Sequence, residues 1–381
     1  MKILMVSMYA PHFFNWTEQL RNSGYEIYWI DVFDANTRVS KIDFVNQIIG
    51  WRNKIKYPKR YWIKRNFPFC YGLINRFNQR KLIDVLEEKM IEIQPDVVQS
   101  FDLTSAAVPI LNVMQKFPHV KWIYSAWGND LFYRQREPQD LRNMKLALPS
   151  IDYMFADCSR DHFLARRLGF NGTYLGTFPG GGGYSCQEYS SLSAPFHGRR
   201  IIAIKGYQGK LGRGNKILQA LFSIEESLSH YNIIVFGADN ALVNFSRHCG
   251  ISEWPNFFIH QKIPHTDVLR LLGKSFLYIG NSISDGMPNT LLEAIVMGAF
   301  PIQSNPGGAT AEIIIDQVNG YLIKDPEDYS EIRQLILQAL DNLGELQKGV
   351  EYNNLNVKPK LEREVIQKQV LERYKLVEKE L

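Results

Sequence analysis

Two acids, Asp285 and Glu293, stand eight positions apart in the stretch ISDGMPNTLLEAIVMG (283–298). A Gly, a Pro and an Asn-Thr pair lie between them, and an apolar run follows. Pro288 has the fixed φ suited to the first position of a helix, so a helix is expected to begin near it. The first turn of such a helix presents backbone N–H groups without intrahelical acceptors and the positive end of the helix dipole. An anion suits that end, and a phosphate is its usual occupant. Glu293, in the second turn, can accept from a pair of sugar hydroxyls, while Asp285, in the preceding loop, projects beyond the phosphates. Gly286 allows a ligand to approach the backbone closely. On this window alone a plainer reading stands level: both acids merely complement the helix dipole.

A second stretch points to the same chemistry. In IIAIKGYQGKLGRGNK (201–216), Gly206, Gly209, Gly212 and Gly214 are interleaved with Lys205, Lys210, Arg213 and Lys216. A flexible loop with several cations at a strand end suits a diphosphate; an exposed hairpin-like loop is the alternative. The stretch matches neither G-x-x-x-x-G-K-[ST] nor a clean G-x-G-x-x-G, which weighs against a P-loop or an NAD fingerprint.

The elements that must hold these residues are legible as alternating strands and helices. KILMVSMY and YEIYWIDVF read as strands around a polar helix, NWTEQLRNSG. RKLIDVLEEKMIEIQ (helix), PDVVQSF (strand), SAAVPILNVMQKF (helix), VKWIYSAW (strand) and IDYMFADC (strand) repeat the rhythm. Ser-rich, aperiodic SCQEYSSLSAPFHGRR reads as a linker. A second alternation then runs through RRIIAIKGY, NKILQALFSIEESL, YNIIVFGA, HTDVLRLLGKS, FLYIGNS, PNTLLEAIVMG and AFPIQSN, and the chain closes with a polar amphipathic helix. The 381 residues thus divide into a first domain over 1–190, a second over 191–360, and a helix over 361–381 expected to cross back to the first. Two doubly wound α/β halves imply a cleft, and open α/β sheets bind ligands at the carboxyl ends of their strands.

Composition narrows the class. Hydrophobic residues are 45% and charged residues 22%, the balance of a core-forming chain. No apolar stretch reaches the ~18–20 residues that span a bilayer. MKILMVSMYAPHFF lacks a small-residue cleavage site and reads as a buried first strand rather than a signal peptide. Cys70, Cys158, Cys186 and Cys249 show no metal-ligand or disulfide spacing, which fits a reduced, cytoplasmic setting. The net charge of +5 conceals an asymmetry: Arg52–Lys81 holds ten Lys/Arg, no Asp/Glu and seven aromatics. A solvated insertion is one reading. The preferred one is an interfacial patch, with cations on anionic headgroups and Tyr61, Trp62, Phe67 and Phe69 at the headgroup boundary. Single-stranded nucleic acid is the third, and is not expected as a partner.

Taken together, Lys205–Gly206 with Arg213–Gly214, SISDGMPNTLLEAIVMGAFPI and SNPGGATAEIIIDQVNGYLI resemble the nucleotide-sugar-binding domain of retaining family 4 glycosyltransferases (glycosyl transferases group 1). PDVVQSFDL, YSAWGND and FPGGGGY extend the resemblance more weakly over the first half. It implies an α/β GT-B fold, two Rossmann-like doubly wound domains facing across a deep cleft. It also implies transfer from a nucleotide-diphosphate sugar to a glycan or lipid-linked acceptor, in surface polysaccharide or lipid-linked glycan synthesis. The family's E-x7-E acids fall on Asp285, at the transferred sugar, and Glu293, at the ribose. The backbone of Gly286, Met287, Pro288, Asn289 and Thr290 lines sugar and phosphates, Lys205 and Arg213 neutralise the diphosphate, and Lys262, in FIHQKI, lies beside the base. No Asp-x-Asp pair is present, so neither a metal nor a further cofactor is expected. Such an enzyme works in the cytoplasm, with the inner face of the membrane as a peripheral station reached through 52–81.

The chain also departs from the family pattern. The first acid is Asp, one methylene shorter than Glu. The cation pair is exchanged in kind. Trp127 stands where a His is common, and YAPHFFNW replaces the Gly-rich loop after the first strand. His12, Trp127 and Asp130 are the acceptor or cleft candidates, Asp130 equally as a turn cap. FPGGGGY reads either as a mobile turn or as a ligand-approach loop. An epimerase on the same fold and a non-catalytic donor-binding protein remain as alternatives.

Overall fold

The computed structural model describes residues 1–55 and 58–381, with backbone only for Arg60 and Tyr61. Lys56, Tyr57 and the Tyr61 ring, all within the proposed interfacial patch, therefore lie outside the described residues. The chain forms two compact units: residues 1–156, 162–181 and 370–381 make the first, and 157–161 with 182–369 the second.

In the first unit, seven strands form one parallel sheet: β1 (Lys2–Ser7), β2 (Glu26–Asp31), β3 (Asn46–Ile48), β4 (Val97–Phe101), β5 (Lys121–Ser125), β6 (Tyr153–Ala156) and β7 (Thr173–Thr177). Their order is β3-β2-β1-β4-β5-β6-β7. The central strands are buried along nearly their whole length, as a sheet covered on both faces requires. Its helices are α1 (Pro11–Glu18), α2 (Arg60–Asn66), α3 (Pro68–Asn78), α4 (Leu82–Ile93), α5 (Val108–Met114), α6 (Asn129–Phe132), α7 (Pro138–Ala147) and, from His162 onward, α8 (Ser159–Arg167). The first helix differs from expectation. It begins at Pro11, not in the polar stretch from Asn15, because Pro suits the first helical position and Phe13, Phe14 and Trp16 all bury.

The second unit has six parallel strands: β8 (Ile201–Lys205), β9 (Asn232–Phe236), β10 (Phe257–Ile259), β11 (Ser275–Gly280), β12 (Phe300–Ser304) and β13 (Tyr321–Ile323). Their order is β10-β9-β8-β11-β12-β13. The helices are α9 (Cys186–Ser190), α10 (Gly214–Phe222), α11 (Asn240–His248), α12 (His265–Lys274), α13 (Asn289–Val296), α14 (Tyr329–Asp341) and α15 (Leu343–Tyr352). A last helix, α16 (Arg363–Glu378), has its residues from Val370 onward in the first unit. There Tyr374 is fully buried, accepting from Trp16 Nε1 at 3.1 Å and donating to the Gln99 side chain at 2.5 Å.

The Ser-rich stretch read as a linker is bound into the second unit. Arg199 is buried, and its guanidinium donates to the carbonyls of Ala194, Ser275 and Gly298. A charge taken out of water needs such partners. Tyr184, after the four glycines, pairs with the backbone of Leu361 and Arg363.

Candidate functional site

In both sheets the strand order reverses once, between β1 and β4 and between β8 and β11. At such a reversal the flanking crossovers leave in opposite directions and open a crevice at the carboxyl ends of the two strands. In the second unit, Lys205 is the last residue of β8, and the Asp285 loop follows β11. The two stretches singled out in the sequence, about seventy residues apart, run side by side here. Arg213 N donates to Asn281 O (3.0 Å), Ile283 N to Leu211 O (2.9 Å), and Gly212 pairs antiparallel with Ser282. Gly212 is required by packing: a Cβ there would lie 2.1 Å from Tyr207 O. Asp239 fixes the other side of the loop, accepting from Gln208 N (3.0 Å) and Gly209 N (2.7 Å) while capping α11 through Leu242 N. Burial pushes its carboxyl up, but these backbone donors outweigh that and hold it below the usual carboxylate range.

The cations of this loop are not equivalent. Lys205 is half-buried, and its ammonium has no ion-pair or hydrogen-bond partner among the described residues. Arg213 sits at the cap of α10, its Nε held by Glu327, which also lies 3.8 Å from Lys216 Nζ. The structure thus offers one free cation at the strand end and one already neutralised.

Pro288 occupies the cap of α13 in extended conformation, so the helix starts at Asn289. Lacking an N–H, Pro288 leaves four amides in the run from Gly286 to Thr290. Gly286 N bonds the Asp285 carboxylate (3.0 Å), and Met287 N bonds Asp157 Oδ2 (3.3 Å). That carboxylate comes so close that a Cβ on Gly286 would stand 2.2 Å from it. The amides of Asn289 and Thr290 belong to the first turn, where no intrahelical acceptor exists.

Glu293 is buried in the second turn of α13, with Oε1 2.7 Å from His265 Nε2. Its Oε2 has no partner among the described residues. The loop carrying exposed Lys262 leads directly into His265, the first residue of α12. Tyr184 donates its hydroxyl to Asn289 (3.3 Å), and Tyr278, within β11, donates to Gln303 (3.4 Å). Burial pushes both phenols well up, and the charges of Asp285 and Glu293 add to the effect on Tyr278.

Sequence reasoning missed His265, Asp157, Tyr184, Asp239 and Glu327. Each acts on a partner 28 or more positions away, and no local pattern announces that. Asp157, Cys158 and Asp161 also converge, with ligand atoms within 4.8 Å of one another. Arg160 lies against Asp161 (2.9 Å) and supplies the positive charge there. Burial pushes the Cys158 thiol up. The amides of Ser159 and Arg160 donate to Glu312, and Arg160 Nη1 to Pro306 O, so this segment braces the turn after β12.

In the first unit, His12 is exposed in the first turn of α1. Its ring meets that of Trp127, after β5, edge-on at 5.7 Å, and Trp127 lies 6.0 Å from Phe101 at the end of β4. His12 and Trp127 therefore stand together at the β1/β4 reversal. Asp130 is buried and filled from within, accepting from Leu103 N, the Tyr124 hydroxyl and Trp127 N. It fixes the turn that carries Trp127.

Two parallel sheets of this order define a GT-B α/β protein, and solved glycosyltransferase folds agree. Sucrose-phosphate synthase of Thermosynechococcus elongatus superposes with a TM-score of 0.77 at 14% identity, over 100% of both chains. HepE of Anabaena, solved with UDP-glucose, gives 0.71 at 12% identity, covering 98% of this chain and 99% of that one. Residues 201–356, within the second unit, match the model of the family Glycosyl transferases group 1. Spore coat protein SA of Bacillus subtilis (strain 168) is 28% identical over 160 residues, 39% of this chain. The match spans about two fifths of that relative's length (42%). Among the described residues, no helix is long and apolar enough to cross a membrane.

Proposed function

We propose that the protein is a retaining, metal-independent glycosyltransferase that moves a sugar from a nucleotide-diphosphate donor to an acceptor hydroxyl. One observation carries this reading. At a single strand reversal the fold gathers a partnerless Lys205, the first turn of α13, and the open Oε2 of an otherwise buried Glu293. A diphosphate fits the first two, and ribose hydroxyls fit the third. The family match over 201–356 and the UDP-glucose held by HepE support it.

In this reading Glu293, oriented by His265, accepts from the ribose, and Asp285 accepts from the transferred sugar. As the anomeric C–O bond breaks, negative charge grows on the leaving diphosphate, where Lys205 and the α13 N-terminus are already aimed. The acceptor oxygen bonds to the anomeric carbon on the face the diphosphate leaves, and its proton passes to the departing phosphate oxygen. Arg213 joins only after exchanging Glu327 for phosphate. The first unit takes the acceptor, with His12 and Trp127 as its contacts, and the product is a surface polysaccharide or lipid-linked glycan. The enzyme works in the cytoplasm, reaching an anionic membrane surface through residues 52–81.

A thermal-shift screen over nucleotide sugars tests this, because a tight donor stabilises the fold by mass action. The expected result is stabilisation by one donor, transfer that survives EDTA, and a product whose anomeric proton keeps the donor's configuration by NMR. A new sugar formed from donor alone would make the protein an epimerase. Binding without turnover over an acceptor panel would make it a binding protein.

A further inference from the structure

The insertion between β3 and α4 is a helical hairpin on a closed stem. Lys54 N donates to Asn78 O (2.8 Å), Arg80 N to Arg52 O (2.7 Å), and Asn53 pairs antiparallel with Gln79. The Asn78 side chain closes both backbone groups of Ile55 at 2.8 Å. Asp34, after β2, accepts from Gly50 N and Arg52 N, tying the stem to the carboxyl edge of the sheet. The hairpin therefore leaves the unit at the edge where an open α/β sheet carries ligands.

What it carries outward is unusual for a soluble surface. Helix α3 has no buried residue. Phe69 is 84% exposed, Leu73 52% and Phe77 72%, and their spacing of four puts them in one stripe. Trp62 and Phe67 stand exposed beside them, their rings 5.4 Å apart. Lys64, Arg65 and Arg76 flank the stripe, all exposed, in a segment of ten cations and no acid. Contiguous apolar patches of this kind mark an interaction site.

We propose that α3 lies in the interface of an anionic bilayer, with Phe69, Leu73 and Phe77 below the headgroups and Lys64, Arg65 and Arg76 on lipid phosphates. This deepens the membrane partner named above and rests on that reading only for where the acceptor is found. A free pyrophosphate would pair with the cations but leave the apolar stripe in water. A second copy of the chain would bring ten like charges against ten. An anionic lipid surface matches both halves of the patch.

The test is flotation of the full-length protein on phosphatidylcholine vesicles with and without about one third phosphatidylglycerol. The protein should float with the anionic vesicles only. The variant Phe69→Ser/Leu73→Ser/Phe77→Ser should lose about tenfold or more of that binding, with unchanged stabilisation by the nucleotide sugar. Leu73→Trp, which removes no apolar group, should shift its added emission to the blue on anionic vesicles. Failure of the wild type to float, equal flotation of the triple variant, or an unshifted Leu73→Trp emission each overturns the proposal. So does displacement by inorganic pyrophosphate, or a dimer in solution that the triple variant abolishes. Donor stabilisation is read without vesicles, so a wrong sugar-transfer reading fails there and a wrong membrane reading fails here.

Discussion

The two units share a strand order but not a chemistry at the point where that order reverses. The β8/β11 reversal is charged: Lys205, Arg213 with Glu327, Asp285, and Glu293 with His265. The β1/β4 reversal is aromatic: His12 on Trp127 and Trp127 by Phe101, while the carboxylates of Asp102 and Asp130 accept from groups of their own unit. Topology makes a crevice in both sheets, and side chains decide what each can hold. Charges and a helix N-terminus suit a diphosphate, whereas aromatic edges suit the faces of a neutral sugar or another uncharged acceptor.

Four changes test that contrast. Lys205→Ala should have the largest effect, a fall in kcat of about 10²–10³-fold, because the growing charge on the leaving group loses its free cation. Steady-state transfer assays read this, and an unchanged kcat would remove the charged crevice from the chemistry. Glu293→Ala should weaken donor binding by about 10–100-fold, the size expected for hydrogen bonds to a charged group. By calorimetry, a donor lacking the ribose hydroxyls should show the same loss with wild type and no further loss with the variant.

Trp127→Ala should act on the other unit alone. About 1 kcal/mol of ring contact translates to roughly a fivefold rise in acceptor KM, with donor affinity unchanged. A fall in donor affinity instead would break the division of labour between the units. Asp239→Ala should cost about 1 kcal/mol of unfolding free energy in urea, the usual loss for a helix cap. Because the native carboxyl is held low, its contribution is present above the ordinary value of about 3.9 and is lost as pH falls through the lowered one. The gap between wild type and variant should therefore stay constant from neutral pH down to about 4 and close only below it.

The long alternating segments were readable because burial imposes period and length on them. KILMVS, VVQSF and IIAIK lie between covering helices and so became continuous apolar runs. The short edge strands β3 and β10, three residues each, were not, since so few residues carry no pattern. The helix after β1 was shifted because its apolar face begins at Phe13, ahead of the polar stretch NWTEQLRNSG that was read as the helix. At the candidate site, Lys205, Asp285 and Glu293 were visible from residue type and spacing. Their partners were not: Glu327 lies 114 positions from Arg213, and Asp157 lies 130 from Met287. Such pairings exist only once two sheet edges have formed.

By itself the sequence determined the two alternations of strand and helix, the Pro-started helix behind a loop acid, and the Gly-spaced cations. Each of these follows from local φ/ψ limits or from the period of burial. Only the tertiary structure decided which of those charges remain open. The same strand reversal that leaves Lys205 without a partner among the described residues gives Arg213 to Glu327 and one oxygen of Glu293 to His265. Whether a charge is free depends on what the rest of the chain folds beside it, and spacing along the sequence carries no record of that.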